Sequence, residues 1–516
     1  MEVQVLIKAN AYYDSVTLMA ISKKMKNLPG VLEAVVSMGT ELNKELIAQV
    51  GMGLPSVTAA GPNDLIIAVG AADAGSLEYV LKEVEQALVQ RNRAAKGVVE
   101  APKSLEGAVA AYPESNLAII SLPGAFAARE VRKALENQLH VMLFSDNVSL
   151  QDEVQLKKLA HDRGLLLMGP DCGTAIINHV PLCFANVVRP GNIGVVAASG
   201  TGTQEVTCLI DRFGGGVSQV IGTGGRDLKA EVGGIMMLDA LQALENDPAT
   251  DVIVIISKPP APGVTEKILG LMKRGGKPKV VYFLGGDRQI VEQAGAVAGC
   301  NLADTARKAV ALANKEPLST DWSCVTAELS LIRQEQAGLA PGQKYVRALY
   351  TGGTLCDEAI LAMQEDLGPI YSNIVFDSRF MLPDSAKSMK HTAIDLGDDK
   401  FTVGRPHPMI DPTIRLERLL QEARDPETAV ILLDVVLGYG SHPDPAGILA
   451  PVVKEAKKLA KGQGRYLSVV ASICGTYRDP QDYADQQAKL VDAGVALADA
   501  NIKAARLAAA IVKNGA

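Results

Sequence analysis

The chain has 516 residues, a formal net charge of −7, and 48% hydrophobic residues of which few are aromatic. That length exceeds one compact core and predicts three to four domains. The acidic balance excludes a general nucleic-acid binder, because phosphate backbones are held by a basic surface.

The seven cysteines, Cys172, Cys183, Cys208, Cys300, Cys324, Cys356 and Cys474, form no CxxC pair. Neither a zinc site nor a redox motif is therefore expected, and no tightly bound metal is predicted. No apolar run approaches the ~18 residues of a membrane span. Lys8, Asn10 and Asp14 stand where a signal peptide needs an apolar run. The expectation is a soluble, cytoplasmic protein with reduced thiols and neither a membrane nor a nucleic-acid partner.

In chain order, residues 3–7 read as a strand, followed by the loop KANAYYDS, an amphipathic helix over 15–27 and the strand VLEAVVSM. GMGLPSVTAAGPND reads as a loop, LIIAVGA as a strand and 76–90 as a charged helix. Residues 91–113 are polar, with Pro102 and Pro113, and read as a linker closing an N-terminal α/β region over 1–113.

Then NLAIISLPG, AREVRKALENQ, HVMLFSD, EVQLKKLAHDRG and LLLMGPDCG alternate strand and helix. Short turns between them predict a parallel sheet with crossover helices over 114–190. Its polar loops SLPG, SDN and MGPDCG gather at the carboxyl edge, where ligands of open α/β sheets bind. Cys172 sits at such a strand end, but with no His near it in sequence it reads better as packing than as a reactive thiol.

From there the chain repeats itself. SGTGTQEV, IGTGGRD and ENDPATDVIVIIS lie between about Gly194 and Leu284, and TGGTLCDEA, IDLGDDK and EARDPETAVILLD between about Val346 and Val470. Each copy reads as a flavodoxin-like unit, over 191–320 and 345–516, with the polar stretch Lys315–Gln343 as linker. VIVIIS and AVILLDVVL are apolar enough for strands buried on both faces.

At Ser199-Gly200-Thr201-Gly202-Thr203 a strand turns into a helix, so N–H groups and hydroxyls converge at the positive end of the helix dipole. Such a turn is a site for phosphate or carboxylate, or simply a capped helix start. Its return as Thr351-Gly352-Gly353-Thr354 favours the anion, since two facing helix starts can clamp a phosphoryl group. No Lys follows the glycines, so neither turn is a nucleotide P-loop. Arg226 in GGRD either adds a cation to this site or forms a surface ion pair.

The segment GRPHPMID holds His407 between two prolines, with Arg405 and Asp411 close in sequence. His407 there either shuttles protons or accepts a phosphoryl group, with Arg405 holding an oxyanion. The plainer reading is a rigid loop with a surface His. His442 and Asp444 in GYGSHPDPAG end the buried strand of the second copy, and read either as chemical groups at the same sheet edge or, somewhat better, as a turn built from Pro and Gly.

These blocks resemble succinyl-CoA synthetase, its α subunit followed by the carboxyl-terminal part of its β subunit, and most of all the FdrA family of fused synthetase-like proteins. GPDCGTAI is similar to the loop that closes the CoA-binding domain, and GNIGVVAASGTGTQE and TGGTLCDEA to the two helix starts that face the phosphate. The likeness covers nearly the whole chain, most strongly over 116–287 and 350–479. It implies an α/β architecture: a Rossmann-like CoA-binding-type domain followed by two flavodoxin-like synthetase-type domains. It also implies CoA at the loops carrying Asn147, Pro170 and Cys172. Phosphate is implied between Ser199, Gly200 and Thr201 on one side and Gly352, Gly353 and Thr354 on the other.

YFLGGDRQIVEQAGAVAG stands where the α subunit carries its catalytic His, and it contains none. The nucleotide-binding ATP-grasp region of the β subunit has no counterpart in these residues either. The implied function is an acyl-CoA-synthetase-like ligase or transferase handling an acyl phosphate, with a partner for the nucleotide step and His407 in place of the missing histidine. The alternatives are a carbamoyltransferase component of purine breakdown, forming carbamoyl phosphate with partner proteins, and a non-catalytic CoA- or metabolite-binding subunit. A small-molecule substrate is expected, with separate partner proteins or a homo-oligomer.

Overall fold

The computed structural model describes residues 2–9, 11, 13, 15–26, 28–95, 102–318, 329–402 and 405–513. Two compact units divide the chain, residues 1–108 with 403–405, and 109–402 with 406–516.

In the first unit β1 (Glu2–Lys8), α1 (Ser15–Lys26), β2 (Val31–Met38), α2 (Glu41–Gln49), α3 (Pro55–Ala59), β3 (Leu65–Ala71) and α4 (Ala74–Ala95) follow in order. The strands pair antiparallel as β1-β3-β2. β3 is apolar throughout because both of its faces are covered. Leu65, Ile67 and Val69 pack with Leu18 and Met25 of α1 and Val80 of α4. Ile66 and Ala68 join Ile47, Met52 and Val57 on the opposite face. The sequence predicts a loop over 51–64; instead Pro55 opens a helix there, and α2 and α3 together cover that face.

A further helix, α5 (Leu105–Ala111), lies in the stretch read as a linker. The second unit continues with β4 (Leu117–Ile120), α6 (Gly124–Glu136), β5 (His140–Leu143), α7 (Leu150–Asp162) and β6 (Leu167–Met168), a parallel sheet in the order β4-β5-β6. The hairpin β7 (Thr174–Ile177) and β8 (Val180–Cys183) leaves this sheet and pairs with the next one.

The first repeat comprises β9 (Pro190–Ala197), α8 (Thr201–Arg212), β10 (Val217–Gly222), α9 (Ile235–Asn246), β11 (Val252–Ser257), α10 (Pro262–Arg274), β12 (Lys279–Phe283), α11 (Arg288–Gln293), β13 (Val297–Ala298) and α12 (Leu302–Ala313). Its parallel strands stand in the order β10-β9-β11-β12-β13, with the hairpin added beside β10. After α13 (Leu329–Gly338) the second repeat brings β14 (Tyr345–Tyr350), α14 (Gly353–Leu367), β15 (Tyr371–Ser372), β16 (Thr392–Asp395), α15 (Asp399–Thr402), α16 (Thr413–Arg424), β17 (Thr428–Val436), α17 (Pro445–Gly462), β18 (Ser468–Cys474), α18 (Tyr483–Asp492), β19 (Ala496–Ala498) and α19 (Asn501–Lys513). The order β16-β14-β17-β18-β19 matches that of the first repeat, with β15 added at the edge. Both are the 2-1-3-4-5 order of a flavodoxin-like fold. The expected α/β architecture of parallel sheets is present, and β11 and β17 are buried at every position.

The stretch 315–343, read from its polarity as a linker, contains α13. Among its residues only Ile332 and Glu335 are buried, too few to reveal a helix by periodicity. It docks on α19, where Gln336 Nε2 donates to the Ala510 carbonyl at 2.9 Å. One core then joins the two repeats: Val206 and Leu209 of α8, Ala306 and Ala309 of α12, Ala359 of α14 and Ala505 of α19 all belong to it. Alanine at these positions of α12, α14 and α19 lets the helices approach closely. No helix among the described residues is long and apolar enough to cross a membrane.

Candidate active site where two helix starts meet

Each repeat ends its first strand in a glycine-rich turn and begins a helix from it, so β9 leads to α8 and β14 to α14. These two helix starts touch. Ser199 Oγ and Thr354 Oγ1 lie 2.8 Å apart in a hydrogen bond. A Cβ on Gly352 would stand 2.5 Å from both Oγ1 and Cγ2 of Thr201, and one on Gly202 would collide with Ser199 Oγ and Thr354 Cγ2. Only glycine permits this approach. Thr203 Oγ1 turns back to the Ser199 carbonyl. Thr201 is 6% exposed and its Oγ1 has no hydrogen-bond partner among the described residues. Neither α8 nor α14 has a side-chain cap, whereas Ser149, Asn301 and Asp444 cap α7, α12 and α17. The free N–H groups and positive dipole ends thus remain available to an anion.

The turn before α14 is held from below. Asp434, near the carboxyl end of the buried β17, accepts from Thr351 N–H at 2.9 Å and from Thr351 Oγ1 at 2.9 Å. Arg415 of α16 donates to the same carboxylate at 2.9 Å. Burial raises the Asp434 carboxyl, and Arg415 opposes the shift. Beside it β16 ends in Asp395, which is 7% exposed. Asp395 Oδ1 accepts from Gly397 N–H at 2.9 Å, while Oδ2 lies 2.8 Å from where a Cβ on Gly353 would stand. Asn373 fixes this strand end, accepting from Asp395 N–H and donating to its carbonyl. Burial pushes the Asp395 carboxyl up to about 7.

His407 reaches the same point. A Cβ on Gly397 would stand 2.6 Å from His407 Nε2, 2.8 Å from the Thr351 carbonyl and 3.2 Å from Asp395 Oδ1. The other ring nitrogen, Nδ1, accepts from Met409 N–H at 3.2 Å, which leaves the proton of the neutral ring on Nε2. Burial lowers this imidazole to about 4. Its ring packs against Phe184 at 5.6 Å, and Phe184 packs against Phe144, also at 5.6 Å. An aromatic line therefore runs from the end of β5 to the start of α14.

Behind the helix starts, Glu205 of α8 and Glu358 of α14 occupy corresponding repeat positions. Glu205 Oε1 accepts from Asn501 N–H at 3.0 Å, at the start of α19, and Glu358 Oε1 from Leu302 N–H at 2.7 Å, at the start of α12. Asn501 Nδ2 donates to Glu358 Oε2 at 2.8 Å and its Oδ1 accepts from Tyr350 Oη at 2.9 Å. Burial pushes Glu358 up to about 7. Each helix of the central pair is thus tied to the terminal helix of a repeat.

Other residues named from the sequence stand elsewhere. Arg226 Nε pairs with Glu153 at 2.8 Å and its Nη2 donates to the Val148 carbonyl at 2.7 Å. The neighbouring Asp227 accepts from the buried Lys157 at 2.9 Å, so the GGRD loop is bolted to α7. Asn147 is exposed with φ 53°, at the carboxyl edge of β5. Pro170 is buried. Cys172 is 3% exposed, and burial pushes its thiol up to about 12. Arg405 is exposed. Asp411 accepts from Thr413 N–H at 3.1 Å and from Thr413 Oγ1 at 2.6 Å, turning the chain into α16. His442 Nδ1 accepts from Asp444 N–H, and Asp444 caps α17 by accepting from Gly447 N–H. Asp395 and Asp434 escaped the sequence reading. The signal was present, an aspartate interrupting or ending an otherwise apolar parallel strand.

Along its whole length the chain is 49% identical to the uncharacterized protein YahF of Escherichia coli (strain K12), over 516 residues that cover 99% of that protein. The chain belongs to the YahF family. Three family models match it: CoA-ligase over residues 349–511, CoA binding domain over 188–285, and AllF, heavy metal-associated domain, over 1–104. The CoA binding domain match thus falls on the first repeat, from β9 past β12. Subunit alpha 2 of the ADP-forming succinate–CoA ligase of Archaeoglobus fulgidus is 27% identical over 177 residues, 33% of this chain and 60% of that subunit. The ADP-forming sulfoacetate-CoA ligase subunit SauD of Bilophila wadsworthia is 27% identical over 179 residues, again 33% and 60%. The matches therefore span about three-fifths of those relatives. Among solved structures, the apo dinucleotide-forming acetyl-coenzyme A synthetase 1 of Ca. Korarchaeum cryptofilum covers 77% of this chain and 82% of its own, at 16% identity and a TM-score of 0.34.

The heavy-metal-associated likeness of the first unit is not matched by donors. Residues 1–104 contain no Cys and no His, whose thiolates and imidazoles hold soft metals, and the thioethers of Met25, Met38 and Met52 are buried in the core. Among the described residues no group of three or more His, Cys, Asp or Glu is placed to hold a metal ion. The residues present do not fit such an ion.

Proposed function

We propose that this chain, as an FdrA-type fusion, is the phosphate-holding and CoA-binding component of an acyl-CoA-synthetase-type ligase. The observation that carries the reading is the hydrogen-bonded meeting of Ser199 and Thr354 at two uncapped helix starts. An acyl phosphate presents a dianion to which such donors are suited. Thr201 Oγ1, buried without a partner beside Gly352, adds a further hydroxyl at this meeting point.

CoA belongs in this scheme at the carboxyl edge of β4-β5-β6, over the loops carrying Asn147 and Pro170. There α6 also starts without a side-chain cap, and Phe126 in its first turn is 68% exposed. In the transfer step the CoA sulfur attacks the acyl carbonyl carbon. A C–S bond forms, the C–O bond to phosphate breaks, and the thiol proton leaves with the departing hydrogen phosphate. With its proton on Nε2, His407 serves as a hydrogen-bond donor to the developing oxyanion and not as a phosphoryl acceptor at that nitrogen. The nucleotide step falls to a partner protein.

The test is incubation of the full chain with CoA and acetyl or succinyl phosphate, reading thioester and released phosphate. Equal amounts of both are expected. Consumption of carbamoyl phosphate alone would move the reading to carbamoyl transfer, and CoA binding without turnover would move it to a non-catalytic subunit.

A further inference from the structure

We infer that Asp395 is a proton-carrying member of the anion site, so that an oxyanion bound at the start of α14 is held by the neutral carboxylic acid and brings a proton with it. The inference rests on the reading of these helix starts as an anion site and adds to it the chemical form in which they bind.

The geometry leads to this in three steps. Asp395 Oδ2 lies beside Gly353, in the first turn of α14, where an anion would take up N–H groups. Only Oδ1 is engaged, by Gly397 N–H, and Oδ2 accepts no hydrogen bond among the described residues. A carboxylate there would repel the anion, whereas a carboxylic acid donates to it. Three carboxyl groups push the same way as burial, Asp398 on its own loop, Asp357 on α14 and Asp434 on β17, and the Gly397 N–H opposes them. The cations nearby are spoken for, Lys258 by Asp357 at 2.7 Å and Arg415 by Asp434 at 2.9 Å. The facing imidazole of His407 stays neutral from about pH 4 upwards. Burial, with these carboxyl groups adding to it, has already brought Asp395 to about 7 before any ligand arrives. Thr201, buried with an unpartnered hydroxyl against Gly352, is the independent sign that this place takes a ligand.

Sulfate is the decisive probe, because unlike phosphate it does not titrate near neutrality. Its affinity for the full chain, by calorimetry, is expected to fall about tenfold between pH 6 and pH 8, one proton being linked to binding. Asp395→Asn should bind with no such slope, and His407→Gln should keep it. A wild-type slope of zero, or an unchanged slope in Asp395→Asn, overturns the role of Asp395. Should the Asn variant not fold, the wild-type protein alone decides: binding enthalpies in buffers of different ionisation heat must report proton uptake near pH 8, and no uptake overturns the inference. Absence of sulfate and phosphate binding at every pH would instead sink the anion site itself.

Discussion

Ser199 and Thr354 stand 155 residues apart in sequence and share one hydrogen bond of 2.8 Å. The contact joins the first turn of each repeat, and it exists because glycine at 202 and 352 lets the two helix starts come within a methyl group of each other.

Gly352→Ala should therefore separate them. Its new Cβ would stand 2.5 Å from Thr201, and overpacking of this kind costs about 1–3 kcal/mol. Denaturant unfolding is expected to show that loss, and added phosphate is expected to raise the melting temperature of the wild type but not of the variant. A variant that melts normally and still responds to phosphate would mean that the close approach is not needed.

Stability should depend on pH through two opposed sets of groups. His407 and His391 are each lowered to about 4 by burial, with Arg347 adding to the shift at His391. Their folded values lie below the ordinary 6.5, so the stability they contribute is present above about 6.5 and lost as pH falls through about 4. Asp395 and Glu358 are raised to about 7; their contribution is full below about 4 and lost as pH rises through about 7. Melts across this range should show His407→Gln flattening the acid limb. Asp395→Asn should gain over wild type at about pH 8 and not at about pH 4. Parallel curves for wild type and both variants would rule this out.

Thiol reactivity should follow burial. Cys172, Cys208, Cys356 and Cys474 are buried, Cys183 is partly so, and Cys300 is exposed; Cys324 lies outside the described residues. Since the thiolate is the reactive form and Cys172 is pushed up to about 12, alkylation of the folded protein at neutral pH should label Cys300 first and leave Cys172 untouched until unfolding. Peptide mapping by mass spectrometry checks this, and early labelling of Cys172 would contradict its packed environment.

Soft metal ions should find no tight site in residues 1–104. With neither Cys nor His there, the full chain is expected to lose copper or zinc to a chelator as readily when those residues are intact as when their Asp and Glu are replaced by amides. Chelator competition that reveals a tight site sensitive to these replacements would reverse the conclusion.

Much of the architecture was legible in sequence because its causes are local. The repeated turns SGTGT and TGGT, the apolar strands VIVIIS and AVILLDVVL and the alternation of strand and helix follow from periodicity and turn chemistry. They predicted two flavodoxin-like units, and the strand orders agree. Where the local signal weakens, the reading fell short. α3 hid in a Pro- and Gly-containing stretch, and α13 buries too few side chains to show its period.

The candidate site divides in the same way. By itself the sequence determined that two glycine- and hydroxyl-rich helix starts exist, and that the loop expected to carry a histidine has none. Only the tertiary structure decided that those starts touch, that His407 and Asp395 meet over Gly397, and that Arg226 is engaged with Glu153. The physical reason is that turn formation depends on neighbours in the chain. The proton states of Asp395 and His407, by contrast, depend on burial and on groups brought from distant strands, which no local pattern encodes.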